Sequence, residues 1–240
     1  MYAKFRPVYP AALFDALARL PSHRRLALDC GTGNGQAAIG LAAHFDRVIG
    51  TDPSESQLDH AIAAPKVEYR CARAEATGLP DGSADLVTAA QALHWFDAPA
   101  FFEEARRVLA PGGAVAVWGY GDPVLEDPGL HAIVHEFNRG RLEPWWYPER
   151  KLLLDGYRTI DFPFTEISTP RFTLEQRWNI HQLAGLLRTW SATARYSAHH
   201  GVDPVAEVET ELAEQWGDPG TLRVVRWPLY LRAGRAESPD

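Results

Sequence analysis

The chain is poor in sulfur, with two cysteines, Cys30 and Cys71, and a single methionine in 240 residues. Two thiols exclude a disulfide framework and a cysteine-built metal cluster. Both stand at the ends of predicted interior strands, so buried thiols of a reducing compartment are expected. Like charge is not concentrated either. Lys and Arg number 24 against 31 Asp and Glu, a formal charge of −7. With no long basic tract, nucleic acid is not expected as the main partner. No apolar run reaches the length of a membrane span, and the opening MYAKFRPVYP lacks an apolar signal core. The expectation is a cytoplasmic protein without a membrane partner. There is no internal repeat and no low-complexity tract. A hydrophobic content of 46%, with 11% aromatic residues, marks a folded chain.

The informative stretch runs from Leu26 to Asp52, LALDCGTGNGQAAIGLAAHFDRVIGTD. An apolar run ends in Asp29, and glycines follow at alternate positions, Gly31, Gly33 and Gly35. An Ala-rich helical pattern, Gln36 to Phe45, leads to a second apolar run, Arg47 to Thr51, closed by Asp52. Strand, glycine turn, helix, strand and acid make a nucleotide-binding βαβ unit. The glycines permit positive φ and let the backbone approach a ligand closely. An acid at the end of the second strand suits the hydroxyls of a ribose. A nicotinamide site reads G-x-G-x-x-G, whereas this turn reads G-x-G-x-G and has an acid two residues before its first glycine.

Further along, periodicity predicts a helix from about Pro10 to Leu20, after an extended, proline-punctuated Tyr2 to Pro10. Ser54 is placed to cap a helix start, with Gln57 reaching back. Strands are expected at Val67 to Cys71, at Ala84 to Ala90, and at Ala114 to Trp118 after the turn Pro111-Gly112-Gly113. The apolar run ADLVTAA implies cover on both faces. A helix lies between the last two, from about Pro99 to Leu109. This alternation implies a parallel sheet with right-handed crossovers. Beyond Gly119 the rhythm changes. A helix is expected around Leu130 to Phe137, a sixth strand near Thr165 to Thr169, and helical stripes at Leu183 to Trp190 and Val205 to Leu212. The last strand should run from Leu222 to Ala233, with Pro228 implying a bulge.

Asp29, the G-x-G-x-G turn and Asp52 resemble the first motif of class I S-adenosylmethionine-dependent methyltransferases. Arg6-Pro7 with Tyr9-Pro10, Asp85 to Thr88, Gln91-Ala92-Leu93-His94-Trp95-Phe96, Thr189-Trp190-Ser191 and Trp227-Pro228-Leu229 extend it to the branch of trans-aconitate methyltransferase-like proteins. The resemblance implies a Rossmann-like, doubly wound α/β fold with seven strands in the order 3-2-1-4-5-7-6, the last antiparallel. A single domain would comprise a core of about 10–119 with 160–172 and 220–234. A substrate-selecting cap would occupy about 120–160 and 173–219. The implied cofactor is S-adenosylmethionine, lying across the carboxyl ends of strands 1, 2 and 4 at the topological switch point. Gly31, Gly33 and Gly35 would line its methionine portion and Asp29 its amino group. Asp52 would take the ribose, Ala74 and Glu75 the adenine edge, and Gln91 the region beneath the sulfonium. Relatives often carry an acceptor before Ala74, where this chain has Arg73. Arginine cannot accept that hydrogen bond, which leaves a backbone carbonyl or Glu75.

Methyl transfer from a sulfonium is an in-line displacement that requires alignment and a dry pocket rather than a particular catalytic residue. A carboxylate acceptor is already ionised at neutral pH; a hydroxyl or amine needs a base. His94 is the candidate base, against the plainer reading of a helix-start histidine bonded to backbone. Trp95, Trp146, Arg188, Arg195 and Tyr196 are candidate acceptor-binding residues, since an arginine fork suits a carboxylate. A solvated helix face is the duller reading of the arginines. His131 and His135 have a metal pair's spacing without an acidic third ligand, so no metal is expected. The expected activity is methyl transfer to a small-molecule acceptor, a carboxylate being one candidate. The alternatives are a cofactor-binding partner or sensor without transfer activity and, disfavoured by the glycine spacing, a nicotinamide oxidoreductase.

Overall fold

The computed structural model describes residues 5–235; Tyr2, expected to be extended, lies outside them. In chain order the elements are α1 (Ala11–Leu17), β1 (Leu26–Cys30), α2 (Gln36–Ala42), β2 (Arg47–Asp52), α3 (Glu55–Leu58) and β3 (Val67–Cys71). There follow β4 (Ala84–Ala90), a 3-10 turn Leu93–Trp95, α4 (Ala98–Val108), β5 (Leu109–Tyr120), β6 (Val124–Leu125) and α5 (Pro128–Glu136). The remainder comprises α6 (Arg150–Leu154), β7 (Thr165–Glu166), β8 (Phe172–Trp178), α7 (Ile180–Arg188), α8 (Ser191–His200), α9 (Val205–Trp216) and β9 (Arg223–Arg235).

Two compact units divide the described chain. The first contains 9–121, 151–172 and the chain from Leu229 onward. In it β3, β2, β1, β4 and β5 pair in that order, all parallel. Leu229 to Arg235 of β9 then pairs antiparallel with β5, and β7 pairs with β9 at Arg235 and Gly234. With β9 as the seventh strand and β7 as the sixth, this is the expected order. The reversal of direction between β1 and β4 places the switch point at their carboxyl ends. Leu28, Val87, Ala89, Val115 and Val117 from the strands pack with Phe101, Phe102, Ala105 and Val108 of α4. Six of the seven β4 residues are buried, as its unbroken apolar run implies.

The second unit contains the chain up to Val8, 122–150 and 173–228. Its strands β6 and β8 both pair with β9, β6 through Val225 and Arg226. Neither was legible as a strand from the sequence. Pro228, which the sequence implies is a bulge, falls between the β9 residues paired to β6 and those paired to β5. There its missing N–H costs no bond in the β5 or β6 ladder. The helices α7 and α9 pack their apolar faces inward, through Leu183, Leu187, Val208, Leu212 and Trp216. Asn179 and Gln182 form a reciprocal capping box on α7.

One expectation fails. Cys30 is buried, but Cys71 is exposed. The strand that carries it, β3, pairs only with β2 and forms the sheet edge, so none of its five residues is buried.

Candidate cofactor and active site

The loop after β1 is fixed by its own backbone. Gly31, Gly33 and Gly35 have φ of 67°, 56° and 88°, values that L side chains rarely adopt. The Thr32 N–H donates to the Thr51 carbonyl, joining the turn to β2, and the Gly35 N–H donates to the Thr32 carbonyl. The surroundings of the glycines differ in a way the sequence does not show. A methyl group on Gly35 would stand 1.9 Å from the Tyr69 hydroxyl, so that glycine is closed in by its neighbour. A methyl group on Gly33 would meet nothing within 4 Å. The middle of the turn faces open space.

Asp52, at the end of β2, closes the other side of that turn. Its Oδ2 accepts the Gly33 N–H at 3.0 Å and its Oδ1 accepts the Ser54 N–H at 2.9 Å. Each oxygen keeps acceptor capacity beyond the bond described. Ser54 accepts the Gln57 N–H and caps α3, as the sequence implies.

Asp29 lies deeper, with no exposed surface. Its oxygens accept the hydroxyl protons of Thr32 at 2.7 Å and Thr88 at 2.8 Å. Burial pushes its carboxyl up to about 6, against these hydrogen bonds and one from the Ala38 backbone, while the charge of Asp52 adds to the rise. The acid before the first glycine therefore sits under the turn, joining it to β4 through Thr88. The sequence marked neither threonine as a partner of Asp29.

Ala74 is buried, and Glu75 accepts the Asp97 N–H at 3.0 Å and an Arg73 N–H at 3.3 Å. Arg73 is thus turned toward the glutamate. Gln91, immediately after β4, adopts φ 55° and gives both ends of its amide to Tyr120. Its Oε1 accepts the Tyr120 N–H at 2.8 Å and its Nε2 donates to the Tyr120 carbonyl at 3.3 Å. It splices the carboxyl ends of β4 and β5. His94 follows in the 3-10 turn, 8% exposed, with Nδ1 3.0 Å from the hydroxyl of Tyr157. Burial pulls its pKa down to about 4, so the ring is neutral at physiological pH. Trp95 is more than half exposed, its ring 4.8 Å from that of His94.

The remaining candidates lie in the second unit. Trp146 donates its indole N–H to Asn138, beneath the guanidinium of Arg150 at 3.8 Å. Arg195 stacks on Tyr147 and donates to the Trp145 carbonyl, and Tyr196 meets the edge of Trp145. Arg188 is held apart from these by Asp203 and Glu209, each at 2.8 Å. Among the described residues no three His, Cys, Asp or Glu side chains are grouped for a metal ion. None of the described helices is long and apolar enough to cross a membrane.

Comparison with known proteins converges on one chemistry. Residues 28–117 match the family model described as a methyltransferase domain. A Dictyostelium discoideum protein named as a methyltransferase is 34% identical over 98% of this chain and 92% of its own. A Saccharomyces cerevisiae protein named as an S-adenosylmethionine-dependent methyltransferase, CRG1, is 30% identical over 52% of this chain. The match covers 46% of that relative, less than half its length. A solved structure from Anaeromyxobacter dehalogenans, named a type II methyltransferase, superposes with a TM-score of 0.89. It is 45% identical over 96% of this chain and 97% of that one. The parallel sheet with its antiparallel strand, the glycine turn under Asp52 and these matches agree: the chain belongs to the class I methyltransferases that use S-adenosylmethionine.

Proposed function

We propose that the chain methylates a small-molecule acceptor, and that the accepting group is an oxygen already ionised at neutral pH, a carboxylate. The observation that carries the reading is the open middle of the glycine turn beside Asp52. A turn packed only for its own sake would be filled at Gly33 as it is at Gly35. The residues fit S-adenosylmethionine. Asp52 has acceptor capacity left for two ribose hydroxyls, and of the three turn glycines Gly33 leaves room for the methionine portion, Gly31 and Gly35 being backed by Ala92 and Tyr69. Ala74 and Glu75 would flank the adenine. In this proposal Asp29 acts through the turn it anchors, since its own oxygens are enclosed. Gln91 acts by fixing the end of β4, since its amide is occupied by Tyr120.

The bound cofactor supplies an electrophilic methyl group on a cationic sulfur. Transfer forms one oxygen–carbon bond and breaks one carbon–sulfur bond, and its electron pair stays on sulfur. With a carboxylate acceptor the two opposite charges cancel and no proton moves. The groups leaving β4 suit that case. Between Gln91 and Asp97 the titratable side chains are His94, buried and neutral, and Asp97, whose Oδ1 accepts the Ala100 N–H and caps α4. Trp95, Trp146, Arg195 and Tyr196 remain the residues proposed to shape acceptor choice. Arg188, neutralised by two carboxylates, leaves that set.

Calorimetry with S-adenosylmethionine and its demethylated product tests the cofactor assignment. Wild-type protein should bind both, and Asp52→Ala should weaken binding at least tenfold, since each lost hydrogen bond to a charged group is worth about 1.5–3 kcal/mol. Affinity unchanged by Asp52→Ala would remove the assignment. Acceptor class is tested by methyl-labelled donor with small carboxylic acids, alcohols and amines side by side. Label entering only alcohols or amines would overturn the carboxylate reading.

A further inference from the structure

We infer that Tyr157 fixes the tautomer of His94, so that this histidine meets the acceptor as an Nε2–H hydrogen-bond donor and not as a base. The inference rests on the methyltransferase reading for the words "meets the acceptor"; the tautomer itself rests on geometry within the first unit.

The phenol of Tyr157 has no exposed surface, and its oxygen lies 3.0 Å from His94 Nδ1. No second hydrogen bond to that oxygen is found among the described residues. Gln91 Oε1 lies on the same side of Gly119 as the phenol and accepts the Tyr120 N–H, but no hydrogen bond joins it to the phenol among the described residues. A buried O–H that does not donate pays the full desolvation penalty, so the phenol proton must be directed at Nδ1. Nδ1 then accepts, and the proton of a neutral imidazole is left on Nε2. Nε2 has no hydrogen-bond partner among the described residues, while the ring retains a small exposed area. A ring so arranged offers one N–H outward at the carboxyl end of β4. A general base would need a lone pair there.

The backbone shows that Tyr157 is held in place for this contact. It is one of few non-glycine residues with positive φ, at 58°, directly after Gly156 at 65°. Such a conformation persists only where its surroundings enforce it. Here the Tyr157 N–H donates to the Leu152 carbonyl at 2.8 Å. Its own carbonyl accepts from the Ile160 N–H at 3.2 Å and from Arg232 Nη1 at 2.6 Å. The strained turn delivers the phenol to His94. Tyr157 is accordingly a positioning residue, and His94 the group that touches the acceptor oxygen.

The test is a long-range proton–nitrogen NMR correlation on apo protein labelled with ring-¹⁵N histidine, the His94 signals being assigned with His94→Gln. Wild type should show a protonated Nε2 and an unprotonated Nδ1, in an excess of roughly tenfold or more, the equivalent of one buried hydrogen bond. Tyr157→Phe should shift the population toward a protonated Nδ1. A protonated Nδ1 in wild type, or an unchanged tautomer in folded Tyr157→Phe, overturns the inference. Should Tyr157→Phe not fold, the wild-type spectrum alone decides. Kinetics give a second arm. His94→Gln, which keeps an N–H donor, should retain kcat with a raised KM, whereas collapse of kcat in that variant would mark a base and sink the donor role. Cofactor calorimetry on the same samples separates failure of this inference from failure of the methyltransferase reading, because the tautomer is read without cofactor.

Discussion

The three glycines of the turn share a backbone conformation but not an environment, and adding one methyl group at two of them separates folding from binding. Gly33→Ala places Cβ in open space, so its folding cost is that of a positive φ alone, about 1–2 kcal/mol. Gly35→Ala bears the same backbone cost and also drives Cβ to 1.9 Å from the Tyr69 hydroxyl. Relief requires the ring to move. Movement costs about 1–3 kcal/mol in packing and about 1 kcal/mol for the Tyr69 hydrogen bond to the Ile62 carbonyl. The total is about 3–6 kcal/mol for Gly35→Ala. For a chain of this length each kcal/mol moves Tm by about 2–4 °C. Gly33→Ala should therefore melt about 2–8 °C below wild type and Gly35→Ala about 6–24 °C below it. Binding should show the opposite weighting relative to folding. A methyl group in the space reserved for a ligand costs about 1–3 kcal/mol, so Gly33→Ala should bind S-adenosylmethionine about fivefold to a hundredfold more weakly while remaining folded. Denaturant titration and calorimetry on the two variants suffice. Equal destabilisation of both would refute the difference in environment. Wild-type affinity in Gly33→Ala would refute the assignment of the open face to the cofactor.

Two further outcomes follow from buried carboxylates. Asp29 in the folded chain titrates near 6, above its ordinary range near 4, so protonation is favoured by folding. Its contribution to stability is fully present below about pH 4 and is lost as pH rises through 6. Above that, the buried charge costs about 3 kcal/mol. Asp29→Asn, which cannot ionise, should therefore gain Tm relative to wild type as pH rises from 4 to 7; a difference independent of pH would count against the burial of the charge. Asp85 accepts four hydrogen bonds, from the Arg25 and Leu26 backbone N–H groups and twice from the Arg25 guanidinium. Asp85→Ala should cost about 2–3 kcal/mol in denaturant midpoints, because two backbone donors at the start of β1 lose their acceptor. Arg25→Ala should cost less than about 1 kcal/mol, its side chain being largely exposed. Equal losses would show that the ion pair, and not the backbone anchoring, carries the energy.

The sheet was legible because its strands have only one way to be buried. Continuous apolar runs such as ADLVTAA must be covered on both faces, and alternation with helices forces a parallel order. The same rule misplaced Cys71. Local sequence does not say which strand ends the sheet, and β3 turned out to be the edge. The strand β8, FTLEQRW, escaped notice because charged residues interrupt its apolar positions, and it becomes a strand only by pairing with β9. Of the site, Asp52 and the glycines were recognisable from type and spacing. Thr32 and Thr88 were not, since a threonine that satisfies a buried aspartate resembles any other threonine until the two strands are side by side.

His94 shows where reading residue types reaches its limit. Its position after β4 made it a candidate base, and histidine type alone cannot distinguish a lone pair from an N–H. The distinction is made 63 residues away in sequence by a tyrosine that no motif marks. A turn with two successive left-handed residues, clamped by Arg232, brings the phenol to the ring. The bond orders the ring, and because the phenol must donate, it also dictates which nitrogen faces outward. On the inferred tautomer, an N–H donor at this position would favour an acceptor that arrives already deprotonated. Specificity for the protonation state of the acceptor would then be set by the backbone conformation at Gly156 and Tyr157, a property of the fold that acts on the chemistry through a single hydrogen bond.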